Sequence, residues 1–577
     1  MKRFSKYKIL LLLIILLGAF LRFYNLDWGD QNFFHPDERN IAIATSNINF
    51  IRGDYNPDFF AYGSFPIYMI YIVSKGDFET SLLFGRLLSA IFSTISLYLI
   101  YLITKNLLFS ILLKDGESIK KTNKIETYSL LAVALAAFSP GLIQFAHFTT
   151  FESFLTFEYL LFTFLALKLL NKPSFLNYVF IAVIMGLSVG TKIVSLFLVG
   201  VFLVIHFFVN LKGRTKDTNK LKFIIKFPFK FLNNKFFSAV LLSILIFVLT
   251  NPFIFLDYQN FRNSLNYESS VARGTLPVFY TQQFLETIPF VYQVLYVFPS
   301  LISWPLTIFS LFALFYLIIY CLRYGLRYIF KNESKTKLPI IVFTLIGLGY
   351  TAFHLTMYVK WSRYMVPSIP FLIIAFVIVL VNLSYKRHKM IRLISKSTLF
   401  VVSIFAIIQG LNFFTIYLKP DPRLEAATWL KDDAENSDTF AGEVYDIGMT
   451  AFNGAVGNHR ITEYDYYNLD DGINDQAELE SLNKLMDESE YVIVPAERIY
   501  PTRVRLKDEF PNGYRHYEQL FEGELGFVKV AEFTRTTYLE DLFDISFYSG
   551  GIFMPLNYDE TFRVFDQPTV TIFKKNT

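Results

Sequence analysis

Cysteine occurs once in the 577 residues, at Cys321. That excludes an intramolecular disulfide framework and a cysteine-based zinc site. Charge is scarce as well: 18% of residues are Asp, Glu, Lys or Arg, against roughly 25% in an average soluble chain. The net charge is only +5. No internal repeat, low-complexity tail or nucleic-acid motif is present, so no nucleic-acid partner is expected. What the chain has instead is apolar length. Hydrophobic residues make up 53% of it, and the excess lies in long runs, the mark of transmembrane helices.

The first run, Leu10 to Phe23, follows a basic start and lacks a small-x-small cleavage site, so a retained anchor with a cytoplasmic N-terminus is expected. Further runs lie at Leu82–Leu113, Thr127–Phe145, Phe154–Leu170, Phe175–Gly190, Ile193–Leu211, Ser238–Phe255, Val291–Leu322, Leu338–Phe353, Tyr364–Leu383 and Leu399–Leu418. Together they predict about 11 spanning helices. Charge supports that count. Loops Lys114–Lys124, Asn171–Ser174, Lys212–Lys235, Arg323–Lys337 and Lys386–Lys396 are basic and are read as cytoplasmic. The alternate loops, 25–81, 146–153, 190–192, 256–290 and 354–363, hold the carboxylates and fewer bases. A missed helix would break this alternation.

Composition changes at Lys419. Residues 419–577 are polar and acidic-rich. Asp421-Pro422-Arg423 opens a predicted helix over Leu424–Leu430, and strand-like runs follow at Tyr491–Val494, Phe527–Val530 and Thr569–Phe573. The expected architecture is therefore an α-helical polytopic membrane region, 1–418, and a soluble external α/β domain, 419–577.

Candidate chemistry lies on the carboxylate-rich side. Loop 25–81 is too long for a mere connector. It holds His35, Asp37, Glu38 and Arg39 directly after the first apolar run, then Arg52, Asp54 and Asp58. Adjacent carboxylates at a membrane boundary need water, a cation or a proton-transfer role. Tyr62-Gly63-Ser64-Phe65-Pro66 then leads into a short interfacial helix over Ile67–Val73. A second site is Phe145 to Ser153, with His147 and Glu152. Glu152 reads either as a helix N-terminal carboxylate favoured by the dipole or as a second acidic group meeting Asp37 or Glu38. His147 reads as structural. Lys192, at a tight turn between two apolar runs, either snorkels or binds an anion. Arg363 and Tyr364 sit in the basic, aromatic stretch Lys360–Pro367, on the side where the positive-inside rule disfavours bases. They read as a polar anchor or a phosphate contact. Arg273 is a weaker phosphate candidate. One His with scattered carboxylates makes no specific metal signature.

At these residues the sequence resembles the GT-C class of membrane glycosyltransferases, and more narrowly its protein mannosyltransferase-like families. The matching stretches are HPDER at His35–Arg39, GRLLSA at Gly85–Ala90, AHFTTFES at Ala146–Ser153, GTKIVS at Gly190–Ser195 and WSRYMVPSIP at Trp361–Pro370. They stand in the expected order across most of the membrane half. DPRLEAATWL and AGEVYD in the tail resemble external domains of bacterial or archaeal members. The second acidic position, often Asp in relatives, is Glu152 here.

The resemblance implies a polyprenyl-phosphate sugar donor, held in the bilayer by its chain. The acceptor hydroxyl, on a glycan, lipid or protein, would approach from outside. Asp37 or Glu38 would be the general base, attack would invert the anomeric carbon, and Lys192 and Arg363 would stabilise the leaving phosphate. It implies no certain cofactor; a divalent metal ion could assist the same charge, and the spacings do not decide it. Two other classes fit parts of the pattern. A transporter or flippase also carries intramembrane charge, though usually at the midplane with internal repeats. A non-catalytic assembly or sensor protein would account for the tail and leave the ordered motifs unexplained.

Overall fold

In the computed structural model, residues 6–112, 119–211, 233–331, 335–444, 449–457, 460–543 and 559–576 are described. The basic loops predicted at Lys114–Lys124, Lys212–Lys235 and Arg323–Lys337, and the end of AGEVYD, lie partly outside them. The chain forms two units, interleaved in sequence. One is Met1–Leu26, Ile41–Arg273 and Ile288–Leu411; the other is Asp27–Asn40, Gly274–Thr287 and Asn412–Thr577.

Within the described residues, each predicted apolar run falls largely on helix. Seven helical stretches among the described residues are long and apolar enough to cross a membrane. They are Phe78–Leu112, Glu152–Asn171, Ile193–Leu211, Trp304–Gly325, Leu338–Leu355, Ser362–Ser384 and the stretch that begins at Lys389. The remaining runs are helical but shorter or more charged. Phe175–Thr191 and Asn234–Thr250 have 17 residues each, and Lys6–Phe23 carries Lys6, Lys8 and Arg22. Arg22 is buried, yet its guanidinium is fully engaged. It donates to Gly18 O at 2.9 Å, to Ala136 O and Ala137 O at 3.0 Å each, and to Ser93 Oγ at 2.8 Å. An arginine at that depth is tolerable only with such partners.

Proline shortens three of the predicted runs, because it lacks a donor and restrains the residue before it. The run Thr127–Phe145 breaks at Ser139-Pro140, giving helices Ile119–Ala137 and Pro140–Gln144. The run Ser238–Phe255 ends at Asn251-Pro252. The run Val291–Leu322 divides at Ser303, whose φ is 86°, before Trp304-Pro305. The short predicted interfacial helix is present as Ser64–Ser74.

Burial separates the helices of this unit. Within Ser362–Ser384, every residue from Met365 to Val381 is buried. Helix Trp304–Lys331 instead exposes Phe315 at 62%, and helix Lys389–Phe414 exposes Phe400 at 67%. Ranks of exposed apolar side chains suit lipid and would drive association in water.

The second unit contains a five-stranded sheet. Its strands are β1 (Phe440–Glu443), β2 (Ile461–Tyr464), β3 (Tyr491–Val494), β4 (Phe527–Thr534) and β5 (Thr569–Lys575), in the order β2-β1-β3-β5-β4. β1 runs parallel to β2 and β3, while β5 is antiparallel to β3 and β4. Helix Pro422–Asp433 packs Ala426, Ala427 and Leu430 against Phe440, Tyr491, Ile493 and Ile572. Each such fully buried large apolar side chain contributes about 1.5–3 kcal/mol. Asp421 caps that helix, accepting from the Arg423 backbone N–H at 3.0 Å, and Pro422 takes its first turn.

Candidate active site

Lys192 is the centre of the helical unit's polar site. Helix Phe175–Thr191 stops there, and a 3₁₀ turn, Ile193–Leu196, resumes after this single extended residue (φ −154°, ψ 128°). Its Nζ lies 3.6 Å from Glu152 Oε1, an ion pair longer than a hydrogen bond. It also lies 5.0 Å from the Tyr62 ring centroid and 4.5 Å from that of Tyr364. Both contacts are within cation–π range. Glu152 is buried, and neither of its carboxylate oxygens has a hydrogen-bond partner. A carboxylate in that position depends on the charge of Lys192.

The break that presents Lys192 is held from both sides. Thr191 Oγ1 donates to Glu158 Oε1 at 2.8 Å, and Thr191 O accepts from Gly63 N at 3.0 Å. Ser64 N donates to Asn251 Oδ1 at 2.7 Å. Three interrupted segments, Tyr62-Gly63-Ser64, Gly190-Thr191-Lys192 and Asn251-Pro252, therefore meet. Gly63 is required for this approach, since a Cβ there would sit 1.8 Å from Gly190 O. Glu158 is buried six residues into an apolar helix, and its Oε2 has no partner.

Electrostatics tie two more groups to this place. The Tyr62 hydroxyl is held well above its ordinary range, first by burial and then by the charge of Glu152. Glu268, half-buried in helix Tyr258–Arg273, is pushed up by burial while Lys192 pulls it down. Lys192 thus has carboxylates from two helices within its field.

The other motif stretches converge with it. GRLLSA meets AHFTTFES where Gly85 leaves room for Thr149, which would lie 2.1 Å from a Cβ there. Thr149 Oγ1 donates to Leu82 O at 2.6 Å, and Ser89 Oγ to Thr150 O at 3.2 Å. His147 is tied at both nitrogens, 2.9 Å from Ile143 O and 2.9 Å from Tyr24 O. Burial pushes it down to about 4. The neutral ring carries a single N–H and so donates to one of these two carbonyls. In WSRYMVPSIP, Arg363 stacks on Trp361 at 4.7 Å and Tyr364 at 5.4 Å. Beside it, Lys360 is buried and pushed down to about 8 by that burial. Arg273 is exposed, its Nε bonded to Ser269 O at 3.0 Å in its own helix.

His35, Asp37, Glu38 and Arg39 belong to the sheet-bearing unit. Pro36 begins helix Pro36–Ser46, with Asp37 and Glu38 in its first turn, where the dipole favours them. His35 Nδ1 accepts from Asp37 N at 3.2 Å, which places the proton of a neutral ring on Nε2. Asp37 and Arg39 are half-buried and Glu38 is fully buried. The segment is gripped by the domain that follows Asn412. His35 packs on Phe565 at 4.2 Å, Arg423 lies 3.6 Å over Phe34, and Arg535 lies 5.9 Å over Trp28. Arg423 is itself fixed by a forked pair with Asp421, at 2.8 and 2.7 Å, and by Phe565 O at 2.6 Å.

Tyr62, Glu158 and Glu268 were not singled out from sequence. Glu158 carried a signal, a carboxylate deep in an apolar run. The other two owe their place to folding alone. Among the described residues, no three His, Cys, Asp or Glu side chains gather to hold a metal ion.

No family model and no curated protein matches this chain. Among solved structures it is similar to an Archaeoglobus fulgidus oligosaccharyltransferase in its apo form, at 11% identity, with 89% of this chain and 73% of that one covered and a TM-score of 0.49. It is similar also to ArnT from Cupriavidus metallidurans in the apo state, at 14% identity, over 87% and 94% of the two chains, with a TM-score of 0.43. The S. cerevisiae protein O-mannosyltransferase Pmt1-Pmt2 complex overlaps 45% of this chain and 35% of its own at 14% identity, with a TM-score of 0.32.

Proposed function

We propose that the chain is an inverting glycosyltransferase that moves a sugar from a polyprenyl phosphate to an acceptor hydroxyl at the outer face of the membrane. The observation that supports it most is the Lys192 site. Three stretches far apart in sequence, AHFTTFES, GTKIVS and WSRYMVPSIP, place Glu152, Lys192 and Tyr364 around one ammonium. Lys192 is held by charge and ring faces and is not spent on hydrogen bonds to a carboxylate, so its donors suit a phosphate.

In this reading the lipid phosphate meets Lys192, with Arg363 as a further cation. Asp37 or Glu38 takes the acceptor proton as its oxygen attacks the anomeric carbon. The bond from that carbon to the phosphate oxygen breaks, and the pair of electrons stays on the phosphate. Lys192 is worth most at that moment, when negative charge gathers in a place with little water. Glu152 keeps Nζ in position before the donor arrives.

The test is transfer from a radiolabelled polyprenyl-phosphate sugar by the purified chain in lipid, with a membrane extract as acceptor source. Lys192→Met should lower the rate by about 10²–10³-fold, the usual loss for one oxyanion donor. Transfer at the wild-type rate by that variant removes Lys192 from the mechanism. A parallel reaction with EDTA decides whether a divalent ion shares the phosphate charge. Flux of the lipid-linked sugar without covalent transfer would favour a flippase.

A further inference from the structure

Between helices Pro36–Ser46 and Ser64–Ser74 the chain makes a tight turn that takes no part in the Lys192 site. Asn49 and Asp54 exchange both main-chain hydrogen bonds, at 2.7 and 2.9 Å. Asn49 Oδ1 accepts from Ile51 N and Arg52 N at 3.1 Å each. Gly53, at φ 84°, supplies the left-handed residue. The turn is seated on helix Ser64–Ser74. Phe50 N donates to Tyr71 Oη at 3.0 Å, and the two rings pack at 4.4 Å. Tyr68 Oη donates to Tyr55 O at 3.0 Å.

This well-held turn has Ile51 at its apex, 97% exposed. Turn centres ordinarily carry Gly, Asn, Asp or Ser. A single exposed apolar side chain needs no explanation, but this one has company. Ile72 and Val73, beside the tyrosine that seats the turn, are 56% and 50% exposed. Their helix stops at Lys75, and Ile48 O stands 3.3 Å from where a Cβ of Gly76 would lie. Two residues later Phe78 opens the stretch Phe78–Leu112, long and apolar enough to cross a membrane, with Phe78 and Leu83 exposed. The turn therefore stands where a spanning helix begins, and exposed apolar side chains mark the way from that helix to the apex. All of these residues belong to one unit.

We propose that the turn Asn49–Asp54 is a membrane-surface anchor whose occupant is lipid. Ile51, with Ile72 and Val73, enters the boundary between headgroups and acyl chains. Arg52 and Lys75, both exposed, stay at the level of the lipid phosphates, their stems alongside the apolar side chains. Asp54, Asp58 and Asp77 are exposed in the same stretch, so apolar burial and not a net positive charge supplies the attraction. Anchoring needs the bilayer alone and holds whether or not the chain transfers sugar.

Electron paramagnetic resonance on the full chain in lipid nanodiscs tests it. Cys321→Ser removes the native thiol, and nitroxides are placed singly at Ile51→Cys, Arg52→Cys, Phe400→Cys and Lys484→Cys. Phe400 marks a lipid-facing helix, and Lys484 is an exposed position in the sheet-bearing unit. Collisions with oxygen, relative to those with a water-soluble nickel chelate, should be several-fold more frequent at Ile51 than at Lys484, and Arg52 should fall between them. A ratio at Ile51 equal to that at Lys484 overturns the anchor. Exclusion of both reagents at Ile51 would put protein on the turn, such as a second copy of the chain, and overturn the lipid assignment. Since Ile51 packs against almost nothing, its replacement should leave Tm unchanged.

Discussion

At the scale of single residues, the site turns on which charges lack partners. Lys192 faces Glu152 at 3.6 Å, too far for a hydrogen bond, and Glu152 has no other polar contact. Glu152→Gln should therefore loosen Lys192 without unfolding the chain, raising KM for the lipid donor more than it lowers kcat. An unchanged KM would show that Glu152 does not position the lysine. Glu158 acts one step further away, through Thr191. Glu158→Leu should lower transfer and Glu158→Gln, which can still accept from Thr191, should restore most of it. Equal losses in both variants would mean that charge at Glu158, not its bond to Thr191, matters. Asp37, Glu38, Glu152, Lys192 and Arg363 drew attention in the sequence for one reason: charge beside apolar runs is expensive; of these, Glu152 and Lys192 are paired in the fold. Tyr62 and Glu268 gave no such signal. Arg273, singled out on the same ground as Arg363, is exposed and bonded within its own helix.

At the scale of elements, breaks in helices build the site. Gly63 passes so near Gly190 O that Gly63→Ala should disrupt the junction of Thr191, Asn251 and Ser64. A lowered Tm together with lost transfer is expected; a Tm and activity equal to wild type would contradict the junction's role. Asp421 and Arg423 form a buried pair, and removing one partner of such a pair costs about 3–5 kcal/mol. Arg423→Ala should show that loss in denaturation and free Phe34 from its cation. A change below about 1 kcal/mol would deny the anchor. The helices were readable from apolar length, but their true ends were not. Pro140, Pro252 and Pro305 were visible, and the apolar residues around them masked their effect. Asp421-Pro422-Arg423 was read correctly as a helix start, while the seat of Arg423 on Phe34 depends on residues nearly four hundred positions apart.

At the scale of the whole molecule, the change of composition at Lys419 falls close to Asn412, where the largest segment of the sheet-bearing unit begins, but does not show that unit's full membership. Asp27–Asn40 and Gly274–Thr287 cluster with it, because Trp28, Phe34, His35 and Gln283 find their partners there. Sequence runs cannot reveal such grouping. Strands β3, β4 and β5 were recognised, and β3 is only four residues long but wholly apolar, YVIV; β1 and β2, FAGE and ITEY, are as short and too mixed in composition to show. Glu443, at the end of β1, is buried and pushed up to about 8 by burial. Its folded value lies above the unfolded one near 4.5, so its neutral form stabilises fully at lower pH and that contribution fades as pH rises through about 8. Glu443→Gln should leave Tm nearly unchanged at pH 5 and raise it relative to wild type at pH 8.5. An equal difference at both values would contradict a buried, neutral Glu443.

The central claim is that Asp37 or Glu38 removes the acceptor proton. Sugar transfer from a polyprenyl-phosphate donor, measured for wild type, Asp37→Asn and Glu38→Gln in the same lipid, tests it most directly. A loss of about 10²–10⁴-fold in at least one variant, with unchanged Tm and donor binding, is the outcome predicted for a general base. Transfer by both variants at the wild-type rate would contradict it.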